Sequence, residues 1–71
     1  MAQLETNSYK IEVAIAAEFP DVVATVENRT MEHRSYVTVA NQNGRLLCEE
    51  TTRWPVDVAE LVESVRVRLA D

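Results

Sequence analysis

His33 and Cys48 are the only histidine and the only cysteine in the sequence, so acid–base or thiol chemistry near neutral pH would have to run through one of them. As a general base, His33 needs an orienting carboxylate and a nucleophile within reach. Its neighbour Glu32 tends to point elsewhere, and the nearby hydroxyl of Ser35 has no motif around it. A solvated loop histidine is the simpler reading. Cys48 falls in a strand-like run on the face assigned to the core, and Glu49-Glu50 make its surroundings acidic, which disfavours a thiolate. It reads as a structural thiol.

Metal sites are excluded in the same way. Zinc takes four ligands, and one histidine and one cysteine cannot supply a soft set. Glu49 and Glu50 are strand neighbours and so point to opposite faces. Asp57 and Glu60 already have a capping role, and no aspartate-rich calcium loop is present. Gly44, the only glycine, is committed to a turn, so no phosphate-cradling loop exists. The expectation is no enzyme, no metal and no cofactor.

Binding chemistry is what remains. Arg29, Arg34 and Arg53 fall at strand ends on one side of a meander, with Arg45 at the other. With His33 and Trp54 they would make a basic-aromatic patch, diluted by Glu32. The competing reading is scattered solvated arginines paired with neighbouring glutamates. Trp54, just before Pro55, is a packing anchor at the sheet-to-helix corner, a residue type that also anchors interfaces.

These side chains need elements to hold them. Asp57 and Glu60 have capping-box spacing, and Val56 and Leu61 occupy the two staple positions around that cap. Val58, Leu61, Val62, Val65 and Leu69 then recur as one helical stripe. Glu63 and Arg66 can pair on the outer face, and Arg66 and Arg68 suit the negative end of the helix dipole. Val67 lies opposite the stripe.

Asn43-Gly44 predicts a two-residue hairpin turn. That register sets Val39 opposite Cys48 and Asn41 opposite Leu46. Val37, Val39, Leu46 and Cys48 share the core face, and Tyr36, Thr38, Ala40, Leu47 and Glu49 share the other, which is mixed rather than polar. Val22 to Asn28 predicts a third strand, joined by the polar connection Arg29 to Arg34.

Residues 8–19 carry two signals. Ile11, Val13, Ile15 and Ala17 alternate as in a strand. Ala14, Ala16, Ala17 and Glu18 favour helix, Thr6, Asn7 and Ser8 are candidate caps, and Phe19-Pro20 is a helix stop. The helix is preferred, apolar on more than one side as if packed on both a sheet and a second helix. The fold class is α+β: a three-stranded antiparallel meander between an N-terminal and a C-terminal helix, α-β-β-β-α. The alternative is a four-stranded antiparallel sheet plus C-terminal helix, β-β-β-β-α.

The 71 residues form a single domain whose first seven residues are expected to be flexible. Twelve acidic against seven basic residues leave a net charge of −5, which on average repels nucleic acid and anionic membrane. No apolar run reaches bilayer length, and the polar start is unlike a secretory signal. A lone cysteine suits a reducing cytoplasm. Asn28-Arg29-Thr30 fits the glycosylation pattern but reads as a strand end and turn.

The layout α-β-β-β-α, with His33 in a connection, the Asn43-Gly44 hairpin and a final helix, resembles the double-stranded-RNA-binding domain over most of the chain. That resemblance implies a lysine-rich start to the last helix, where the family meets phosphates. The matching stretch, Trp54-Pro55-Val56-Asp57-Val58-Ala59-Glu60, has no lysine and two acids, so the RNA-binding residues do not carry over.

The functional expectation is a non-enzymatic protein-interaction module or homodimer subunit, with Tyr36, Ala40 and Leu47 on the mixed sheet face. One concrete version is a small acidic inhibitor or adaptor of the kind phages encode, acting on a nucleic-acid-handling complex, with Glu5, Glu12, Glu18, Asp21 and the helix acids standing in for phosphates. The alternative is nucleic-acid binding through Arg29, Arg34 and Arg53.

Overall fold

A computed structural model describes residues 4–70. In chain order the elements are β1 (Leu4–Glu5), α1 (Ser8–Glu18), β2 (Val22–Arg29), β3 (Arg34–Asn41), β4 (Leu46–Arg53), β5 (Val56–Asp57) and α2 (Val58–Ala70), with a single 3₁₀ turn at Thr30–Glu32. β2, β3 and β4 form an antiparallel meander, and β1 pairs with β5 in a separate two-stranded sheet. The α-β-β-β-α arrangement is therefore the fold.

Segment 8–19 is helical because its ends and its buried pair both favour the helix. The Asn7 side chain accepts a hydrogen bond from the Lys10 N–H at 3.2 Å, satisfying one orphan donor of the first turn. Phe19 closes the helix by donating to the Ile15 carbonyl at 2.9 Å, immediately before Pro20. Ile11 and Ile15, one turn apart, are both 0 % exposed, whereas Val13, which strand alternation would bury with them, is 48 % exposed. α2 starts where its spacing predicts. Asp57 Oδ1 accepts from the Glu60 N–H at 3.2 Å, and the staple residues Val56 and Leu61 are both buried.

Both helices cover one face of the meander, α1 over β2 and α2 over β4, and they touch each other. The core lies between the layers: Val22, Ala24, Val26, Val37, Val39 and Cys48 from the sheet, Ile11, Ile15, Leu61 and Val65 from the helices. Arg66 ties the helices at the surface, bonding Glu63 on its own helix and Glu18 on α1, with its guanidinium 5.7 Å from the Phe19 ring. Ser35 is the one buried polar residue of the core layer among the described residues, and its hydroxyl donates to Asn28 Oδ1 at 2.7 Å.

The first seven residues are expected to be flexible. Residues 1–3 lie outside the described residues, while 4–7 are tied down. Leu4 and Glu5 pair with Asp57 and Val56, a Glu5 carboxylate oxygen accepts from the Thr6 and Asn7 N–H groups, and the Thr6 carbonyl accepts from the Asn28 amide at 2.7 Å.

The hairpin differs from its sequence reading by one residue. Gly44 N–H donates to the Asn41 carbonyl, and Asn41 N–H to the Arg45 carbonyl. The loop is thus the three residues Gln42-Asn43-Gly44, with Gly44 at φ +85°. Val39 does lie opposite Cys48, but the register then slips and Leu46 pairs with Ala40 instead of Asn41, leaving Leu47 as the extra residue of a bulge. Leu46 therefore leaves the core face and is 50 % exposed. A Cβ on Gly44 would meet nothing within 4 Å. Gly44→Ala should accordingly cost only the left-handed backbone penalty, about 1–2 kcal/mol in urea unfolding. An unchanged midpoint would refute this turn geometry.

Candidate functional site

With both helices on one side, the opposite face of the meander carries no covering layer among the described residues. Strand alternation places Val23, Thr25, Glu27 and Arg29 of β2 on this open face, with Arg34, Tyr36, Thr38 and Ala40 of β3 and Glu49, Thr51 and Arg53 of β4. The bulge adds Leu46 and Leu47.

The register sorts these residues into cross-strand rows. At the hairpin end, Val23 pairs with Ala40 and Ala40 with Leu46, beside Leu47. Val23, Leu46 and Leu47 are 50, 50 and 43 % exposed, so the row is an apolar patch in water. The next row is Thr25, Thr38 and Glu49, followed by Glu27, Tyr36 and Thr51. At the far end Arg29 pairs with Arg34 and Arg34 with Arg53, placing three of the seven basic residues in one line. The apolar residues and the arginine patch, read from sequence as two separate surfaces, are opposite ends of a single face.

The arginines are not equivalent. Arg29 bonds Glu27 and Glu32, and its guanidinium lies 4.7 Å from the Tyr36 ring centroid. The Tyr36 hydroxyl donates to Glu32 at 2.9 Å. That hydroxyl, and then Arg29, hold the Glu32 carboxyl below its ordinary range. Arg34 and Arg53 form no ion pair among the described residues, although Arg34 lies within the electrostatic reach of Glu32. Cations directly opposite each other across strands are destabilising.

His33 sits in the left-handed region at φ +56°, exposed, just after the 3₁₀ turn. Its carbonyl accepts from the Trp54 N–H at 2.9 Å, which fastens the end of β4 to the β2–β3 connection. Trp54 is half-buried at that corner beside the arginine row rather than within it, and its indole N–H is shielded without a hydrogen-bond partner among the described residues. Ser35 points into the core, away from His33's exposed surroundings. No group of three His, Cys, Asp or Glu gathers into a metal-holding set among the described residues. No described helix is long and apolar enough to cross a membrane.

The carboxylates considered as phosphate mimics are largely occupied. Glu5 bonds backbone N–H groups, Glu12 accepts from the Val26 N–H at 2.9 Å, and Glu18 pairs with Arg66.

Cys48 is 6 % exposed. Burial pushes its thiol up, Glu50 adds to the shift and Arg68 opposes it. The protonated thiol is favoured in the fold, so this group's contribution holds below the unfolded thiol pKa and is lost as pH rises above about 9. Cys48 should react with Ellman's reagent more than about tenfold more slowly in buffer at pH 8 than in denaturing urea. Equal rates would place the thiol on the surface.

Sequence reasoning found Arg29, Arg34, Arg53, Tyr36, Ala40 and Leu47, and all six lie on this face. The same reading put Thr38 and Glu49 there too, but not Val23, Thr25, Leu46 or Thr51. The alternation of Val22 to Asn28 separates Val23 and Thr25 from Val22, Ala24 and Val26 without saying which face is outward, and the bulge hides Leu46. Compared with known proteins, the chain matches no family model, and no curated protein or solved structure is significantly similar to it.

Proposed function

We propose that the chain is a non-enzymatic protein-binding module, an adaptor or small inhibitor, that docks through the open face of its sheet. The observation that supports this is the placement of both helices on one side. It leaves a three-stranded face bearing Val23, Leu46 and Leu47, half-exposed and contiguous with Ala40. Apolar side chains in such a row gain from being covered, about 25 cal/mol per Å² removed from water. Tyr36 and the arginines at the other end are residue types that anchor interfaces. A cytoplasmic setting fits a free, buried thiol.

The test is affinity capture from the native host with immobilised wild type and Leu47→Glu. Leu47 is exposed at a bulge, so the variant should fold, with an unchanged circular dichroism spectrum. It should lose the captured protein. Equal capture by both would overturn the proposal.

The arginine row favours one second reading, nucleic-acid binding. Two or three phosphate contacts would give a log–log salt slope of about −2 to −3. Absence of binding to duplex or single strands at low salt ends that reading.

A further inference from the structure

Resting on the reading of the open face as a protein-docking surface, we infer that its partner is a polypeptide segment with two ends of different chemistry. Carboxylates meet Arg34 and Arg53, and apolar side chains meet Val23, Ala40, Leu46 and Leu47. The two rows are six residues apart along β2, about 20 Å, which about 13 residues of helix or 6 of strand would span.

Three observations select this occupant. First, Arg34 and Arg53 are directly opposed cations with no ion pair among the described residues, a local cost that an incoming anion removes. A carboxylate fits the guanidinium fork bidentately. Second, Glu27 and Glu49 share the face and the chain carries −5 overall, so a continuous phosphate backbone would meet repulsion beyond the row. The apolar row offers phosphates nothing. Third, a second copy of the chain is a poor occupant of this face. In aligned face-to-face stacking, strands running the same way set arginine row on arginine row. Strands running oppositely seat arginines on the apolar row, desolvating the charge without a partner.

The experiment uses the double variant Arg34→Thr/Arg53→Thr. Threonine suits strands, and removing the opposed cations relieves repulsion, so the variant should fold with a melting temperature no lower than wild type. In an NMR titration of the intact chain with the hexapeptide Glu-Glu-Thr-Thr-Leu-Leu, the Arg34 and Arg53 signals and those of Val23 and Leu46 should shift saturably. The double variant should weaken that binding by about tenfold or more. Inorganic phosphate and a short RNA duplex are run in parallel. The inference is overturned if the hexapeptide produces no saturable shift, or if the duplex moves the same signals at lower concentration. Capture from the host separates its failure from that of the docking face. Capture lost with Leu47→Glu but retained by the double variant leaves the face standing and sinks the carboxylate assignment. Capture retained by both variants sinks the face itself.

Discussion

Ile15→Ala is expected to remove most of the stability of the fold at 25 °C. Ile15 is 0 % exposed and stands in the middle of α1, facing the core between the two layers. Truncating a buried isoleucine to alanine costs about 2–5 kcal/mol, because transfer energy is lost and a cavity remains. A single core in a domain of this size supplies roughly 3–5 kcal/mol in total. Nothing else described staples the chain: its one cysteine is a free thiol. The loss therefore consumes most of the stability. Far-ultraviolet circular dichroism against urea would show it as a transition moved to near zero denaturant. Val13→Ala, on the exposed side of the same helix, should shift the midpoint by less than about 0.5 kcal/mol. Equal effects at the two positions would contradict the packing of α1 through Ile11 and Ile15.

Glu12→Ala is expected to cost about 1.5–3 kcal/mol, the range for a hydrogen bond to a charged group. Glu12 lies on α1 and accepts from the Val26 N–H of β2, the edge strand beneath it, at 2.9 Å. The contact is part-buried, so losing the acceptor leaves a backbone donor without its partner. It also uncovers an outward-facing group on a sheet edge, where other chains pair. Glu12→Ala should therefore lower the urea midpoint and raise the tendency to associate at high concentration. Glu12→Gln keeps an acceptor oxygen and should lose less than about 1 kcal/mol. If the alanine variant is as stable as the glutamine one and remains monomeric, the carboxylate does not guard that edge.

Legibility in the sequence followed the physical range of each signal. The α2 start was fully legible, because cap and staple are local and two independent spacings, Asp57–Glu60 and Val56–Leu61, name the same boundary. The helix at 8–18 was legible through Asn7 and Phe19-Pro20, even though the alternation of Ile11, Val13 and Ile15 argued for a strand. The turn at Asn43-Gly44 was legible in place but not in type. Whether Gly44 takes a two-residue loop or ends a three-residue one depends on how the flanking strands pair, and that decided the face of Leu46. The pairing of Leu4-Glu5 with Val56-Asp57 left no trace, since two-residue strands have no periodicity.

The binding face was legible in pieces. Outward alternation named Tyr36, Ala40 and Leu47, and the meander placed Arg29, Arg34 and Arg53 at one end. That the pieces form one surface depends on the exact register across β2, β3 and β4, which sums long-range pairings no local pattern contains.

The most direct test of the open face as the docking surface is a methyl and amide NMR footprint of the chain bound to the protein it captures. Changes are expected at Val23, Ala40, Leu46 and Leu47 and along the rows to Arg34 and Arg53, with the outer helix residues Val13 and Val67 unmoved. Changes confined to Val13, Val67 and their helix surfaces, with the sheet face silent, would contradict docking through the open face.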